Sequence, residues 1–135
     1  MKGLVPTTIK EYRAYVREKF MQGYRGKNCE ICGSTYKTCG HHVIPTGRCI
    51  HHCVSPENMI VLCPRHHTMG GDIAAHSLSA IVMDRFIEWM KANKPEQWAW
   101  AKEHERDNGK IRWQDLYEDL IAETGGCKCL IQNGK

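Results

Sequence analysis

Apolar positions recur at steps of three and four over residues 7–22. Ile9, Tyr12, Val16 and Phe20 fall on one face and Lys10, Arg13 and Arg17 on another, a spacing that predicts an amphipathic helix. Thr8 and Glu11 stand at capping-box spacing at its start. The Gly-Tyr-Arg-Gly-Lys run of residues 23–27 breaks the pattern, and the period then shortens. Residues 39–44 read as a short strand. Residues 59–62, Met-Ile-Val-Leu, read as a second strand, bounded by Pro56 and Cys63. Pro64 suits the first position of a helix that Gly70-Gly71 should end or interrupt within about two turns. Ser77 or Ser79 can cap a longer helix with the stripe Leu78, Ile81, Val82, Phe86, Trp89 and Met90, stopping near Asn93 before Pro95. Residues 95–106, with Trp98 and Trp100, and residues 113–124, with Trp113, Leu116, Tyr117, Leu120 and Ile121, complete the helical pattern. The aromatic positions read as core. The tail, with Cys127 and Cys129, is expected to be short and mobile.

The 135 residues, 41% of them apolar, are enough for one modest core. The expectation is a single α+β domain, mainly helical, over residues 1–135. Residues 1–28 would form a basic helix and loop, 29–76 a central core, and 77–135 the C-terminal helices and tail. No run approaches a membrane span, and the first residues lack the apolar centre of a secretory signal, so an intracellular, cytoplasmic protein is expected. Charge is uneven. Residues 1–37 carry eight Lys/Arg against three Glu, a net of +5; residues 38–78 balance at zero and residues 79–135 come to −1. A positive segment leading into a Cys/His-rich region suits a polyphosphate partner. A merely solvated helix face would carry the same charge.

Eight cysteines in a reducing compartment point to metal more than to disulfides. Cys29 and Cys32 form a C-x2-C pair, and Cys63 and His66 a C-x2-H pair, with the apolar strands between them. Each gap lets one tight turn present two ligands, and four such ligands close a tetrahedron around structural Zn2+. Gly33 would supply the positive φ such a turn often needs. His67 could exchange with His66, and Cys39, Cys49 and Cys53 are further competitors. Cys49, His51, His52 and Cys53 could bind an accessory metal, pair oxidatively, or simply lie in a loop near the polyphosphate partner; the last reading is preferred.

The C-x2-C, the His41-His42-Val43-Ile44-Pro45 run, Pro56-Glu57-Asn58 and Leu62-Cys63-Pro64-Arg65-His66-His67 taken together resemble the HNH nuclease family. The resemblance covers residues 29–67. It implies a ββα-metal hairpin and helix, zinc-stapled here, and a stand-alone enzyme of the kind phages and other mobile elements encode. It implies that His41 and His67 hold a catalytic divalent cation, Mg2+ or Mn2+ before Ni2+ or Zn2+. It implies further that His42 is the general base, and that Asn58 orients that base or ties down the hairpin loop. Nuclease colicins of this family place another metal histidine four residues after the equivalent of His67, where this chain has Gly71. A shell of two protein ligands is therefore expected, His76 being a substitute of unsuitable spacing. Arg13, Arg17, Arg25, Lys27 and Arg65 are the candidate phosphate contacts on DNA. The function so implied is metal-dependent hydrolysis of DNA phosphodiester bonds. The rivals are a zinc-stabilised DNA-binding module without catalysis and, behind it, a redox or metal-storage protein.

Overall fold

The computed structural model describes residues 5–68 and 71–123. The expected tail with Cys127 and Cys129, and Gly70, lie outside them. Helix α1 spans Ile9–Gln22, strand β1 Cys39–His42, strand β2 Met59–Leu62, helix α2 Pro64–His67, helix α3 Ala80–Asn93, helix α4 Pro95–His104 and helix α5 Trp113–Glu123. Among the described residues this is an α+β fold of five α-helices and one two-stranded antiparallel sheet. Two compact units are formed, one by residues 21–109 and the other by the segments on either side of it.

In the flanking unit, the capping box forms reciprocally: the Glu11 amide donates to Thr8 Oγ1 at 3.2 Å and the Thr8 amide to Glu11 Oε1 at 3.2 Å. Val16 and Trp113 are buried, and the Tyr117 ring packs on Tyr12 and Tyr15 with centroids 5.2 and 5.1 Å apart. Ile9, expected on the apolar face, is 61% exposed.

Residues 21–109 carry every predicted metal ligand. The hairpin pairs Cys39 with Leu62 and His42 with Met59. β2 is buried along its whole length while β1 is buried only at Gly40 and His41. β1 ends at His42, two residues before the predicted limit. The reason is Asn58: its Oδ1 takes the Ile44 amide at 2.6 Å, and its backbone oxygen takes the Val43 amide at 2.8 Å. The Val43 bond still follows the register of the hairpin, but the Asn58 amide donates back to the Ser55 carbonyl at 2.9 Å and the Ile44 amide turns to a side chain, so the ladder stops there.

The core beneath the sheet joins Ile60, Leu62, Cys29 and Cys63 to Phe86 and Met90 of α3. Ile60 and Leu62 are almost wholly buried, each worth about 2 kcal/mol of transfer free energy. Two members of the predicted α3 stripe stay outside the core. Leu78 precedes the helix, which Ser79 caps by accepting the Val82 amide, and Ile81 is 64% exposed. Five residues separate Ile81 from Phe86, which turns it well away from the buried face, whereas Met90 lies four residues on and returns to it. α4 docks on the start of β2 through Gln97, whose Nε2 donates to the Glu57 and Met59 carbonyls at 2.9 and 2.8 Å. No helix of the described residues is long and apolar enough to cross a membrane.

Candidate metal centres

The first knuckle is a turn closed by the Gly33 amide on the Cys29 carbonyl and the Cys29 amide on the Ser34 carbonyl, both at 2.8 Å. Gly33 has φ +82°, the left-handed conformation expected of it. Glu30 fastens this turn to β2: its amide donates to the Val61 carbonyl, its Oε2 accepts the Val61 amide at 2.7 Å, and its other oxygen pairs with Lys94. The second knuckle follows β2 directly, with Pro64 at the first position of α2. The two turns bring Cys29, Cys32, Cys63 and His66 together. Cys63 Sγ is 3.3 Å and Cys29 Sγ 3.8 Å from His66 Nδ1, and Cys32 Sγ is 3.7 Å from Cys63 Sγ. These four residues lie close enough to hold a metal ion, and three thiolates with one imidazole are a donor set suited to zinc. Burial raises the Cys29 thiol, but the backbone amides of Cys32, Cys63 and Ile31 outweigh it and leave Cys29 below the ordinary thiol range. A thiolate is the form that binds metal. No described cysteine is in a disulfide.

The competitors separate cleanly from this group. His67 points elsewhere: its Nδ1 is 3.7 Å from Cys39 Sγ, whose thiol burial holds above its usual range. Cys49 and Cys53 are buried in the loop between the strands.

A second group stands at the end of β1 and α2. The rings of His41, His67 and His76 form a near-equilateral triangle, with centroids 5.1, 5.0 and 5.1 Å apart, and their nitrogens are close enough to share an ion. His41 and His67 are the two ligands expected. His76 is the one the spacing argued against. The segment after α2 folds back on it, the Ala75 amide donating to the His66 carbonyl at 3.0 Å and the His76 amide to the His67 carbonyl at 2.8 Å. Gly71 allows the return: its amide donates to the Arg65 carbonyl, and a Cβ there would come within 2.7 Å of that same oxygen. Burial, with His67, His76 and His42 nearby, drives the His41 imidazole down to about 3. Burial and His76 also lower His67. Both rings therefore offer lone pairs at neutral pH.

His42 lies with His41, His67 and His76 around one cleft of about 240 Å3. Its Nε2 is 2.7 Å from the Cys53 carbonyl, which can only accept, so the proton of the neutral ring sits on Nε2 and the lone pair on Nδ1. Asn58 does not reach that ring. Fully buried, it donates to the Ile44 carbonyl at 3.1 Å and the His52 carbonyl at 3.2 Å while accepting the Ile44 amide. It ties down the loop that carries Cys53.

No family model, curated protein or solved structure matches the chain. Of the basic residues singled out, Arg25, Lys27 and Arg65 are exposed and belong to the same unit as the cleft. Arg65 immediately precedes the candidate ligands His66 and His67, and its charge adds to burial in lowering His66. Arg13 and Arg17 lie on α1 in the flanking unit.

Proposed function

We propose that the chain is a metal-dependent endonuclease of the HNH type that hydrolyses DNA phosphodiester bonds in the cleft lined by His41, His42, His67 and His76. The observation that carries this reading is the meeting of a three-imidazole cluster with a fourth imidazole, His42, at the same cleft, its proton fixed on Nε2. A structural zinc alone gives no reason for this arrangement.

The residues divide the work. Cys29, Cys32, Cys63 and His66 hold zinc and so staple the first knuckle to β2 and α2. His41, His67 and His76 would hold the catalytic cation. Three imidazoles favour Mn2+, Ni2+ or Zn2+ over Mg2+, which prefers oxygen ligands and its own water. When bound, such an ion would supply positive charge to neutralise the charge that develops on the phosphate during hydrolysis. His42 Nδ1 takes the proton from the attacking water. The Cys53 carbonyl stabilises the imidazolium so formed and holds the ring in place, and Asn58 holds the loop bearing that carbonyl. Arg65, Arg25 and Lys27 offer cationic contacts to the phosphates on either side.

Attack at phosphorus with departure of the 3′ oxygen leaves 5′-phosphate and 3′-hydroxyl ends. An end-labelled duplex incubated with the protein and Mn2+ should yield products with those termini. Retention of the duplex without cleavage would instead support the zinc-stabilised binding module.

A further inference from the structure

A third set of donors lies outside the cleft. His52, on the loop between the strands, meets His104 at the end of α4 and Asp107 just beyond it, segments some fifty residues apart in sequence. His52 Nε2 is 2.8 Å and His104 Nδ1 2.7 Å from the same oxygen, Asp107 Oδ2. The Trp100 ring closes one side, its centroid 4.9 Å from each imidazole. All three side chains are partly buried, and the donor atoms lie within 4.8 Å of one another.

We propose that His52, His104 and Asp107 form a third metal site, which takes one divalent transition ion of the zinc class with water completing its shell. Two imidazoles and a carboxylate are borderline donors, the set that favours Zn2+ over Mg2+ or Ca2+. The surroundings are fitted to the exchange. An ion at His52 Nε2 moves the ring proton to Nδ1, where Ser55 Oγ, 2.9 Å away, accepts it. An ion at His104 Nδ1 moves that proton to Nε2, which faces Glu103 Oε1 at 3.7 Å. Donor atoms around zinc are spaced roughly 3.3 Å apart. Loading therefore widens the two present hydrogen bonds by about half an ångström, well within the play of a partly exposed cluster.

The ion would cross-link the strand-connecting loop to the end of α4. The His52 carbonyl already accepts from Asn58, and the next carbonyl along, that of Cys53, is the one bonded to His42. Loading would thus stiffen the support of His42. This last consequence rests on the nuclease reading; the binding itself does not.

Titration with further Zn2+ of the full chain that already holds its thiolate-bound ion tests the site without DNA, so a failed cleavage assay leaves the result standing. In the wild-type chain followed by 15N imidazole NMR, saturation beyond the thiolate-bound ion should move the proton of His52 from Nε2 to Nδ1 and shift the His104 ring with it. Asp107→Asn should bind one ion fewer than wild type at saturation while keeping the ion held by the thiolates. Ring signals of His52 and His104 unmoved throughout the wild-type titration would overturn the proposal and leave a metal-free hydrogen-bonded clasp. An Asp107→Asn variant that keeps the thiolate-bound ion and takes up as many ions as wild type would overturn it as well.

Discussion

Asn58 shows how much a single side chain carries. It satisfies the amide and the carbonyl of Ile44 and the carbonyl of His52 from a position with no solvent exposure. Asn58→Ala would leave those groups buried without partners, at about 1–3 kcal/mol for each group left unmade. A loss of at least 2 kcal/mol in denaturant unfolding is expected; a loss below about 0.5 kcal/mol would show that water replaces the amide. The sequence pointed to Asn58 and offered two roles for it, and the geometry selects the loop tie. His41 carries a pH dependence. Its folded-state value of about 3 lies below the ordinary 6.5, so the unfolded chain takes up the proton first. Its contribution to stability is complete above about 6.5 and is lost as pH falls towards 3. With one equivalent of zinc holding the knuckles, melting between pH 7 and 5 should therefore fall more steeply in wild type than in His41→Gln. Equal slopes would mean that His41 is not buried in the folded chain.

Among the elements, the knuckles were the most legible because their chemistry is local: a two-residue gap is enough to aim two ligands, and the hairpin between them brings the pairs together. β2 and the limits of α3 were legible for a similar reason, a closed apolar run in one case and Ser79 as cap with Pro95 as stop signal in the other. The third imidazole of the cleft was not, because His76 is placed by backbone hydrogen bonds to the His66 and His67 carbonyls and by the room left at Gly71. Ligand spacing along the chain contains neither. Nor could it reveal His104 and Asp107 beside His52, a convergence set by where α4 ends. Gly71→Ala isolates the fold-back. Its Cβ would press on the Arg65 carbonyl, so cation affinity at the cleft should drop about tenfold or more, the 10–100-fold expected when a supporting contact of a metal site is lost. The thiolate-bound zinc should remain, as metal analysis of the purified variant would show. Unchanged affinity would mean that the return of the chain does not depend on that glycine.

For the molecule as a whole, zinc held by the two knuckles would stand in for a larger core. The segment of residues 29–67 holds few apolar side chains beyond β2, and a bound structural zinc contributes on the order of 10 kcal/mol of binding free energy to folding. Strong chelation should therefore unfold the unit of residues 21–109 cooperatively, visible in tryptophan fluorescence through Trp89, Trp98 and Trp100. Basic residues spread over both units, with a net charge of +4, should give DNA binding that weakens steeply with salt. Arg13→Glu with Arg17→Glu is expected to lower DNA affinity and flatten that salt dependence without changing metal content. The central claim, cutting by His42 in the three-histidine cleft, is tested most directly by the rate at which supercoiled plasmid is nicked or linearised in Mn2+. The wild-type chain should convert the plasmid, and His42→Ala, with its thiolate-bound zinc intact, should do so 10²–10⁴-fold more slowly. No conversion by the wild type, or conversion undiminished in His42→Ala, would contradict the account.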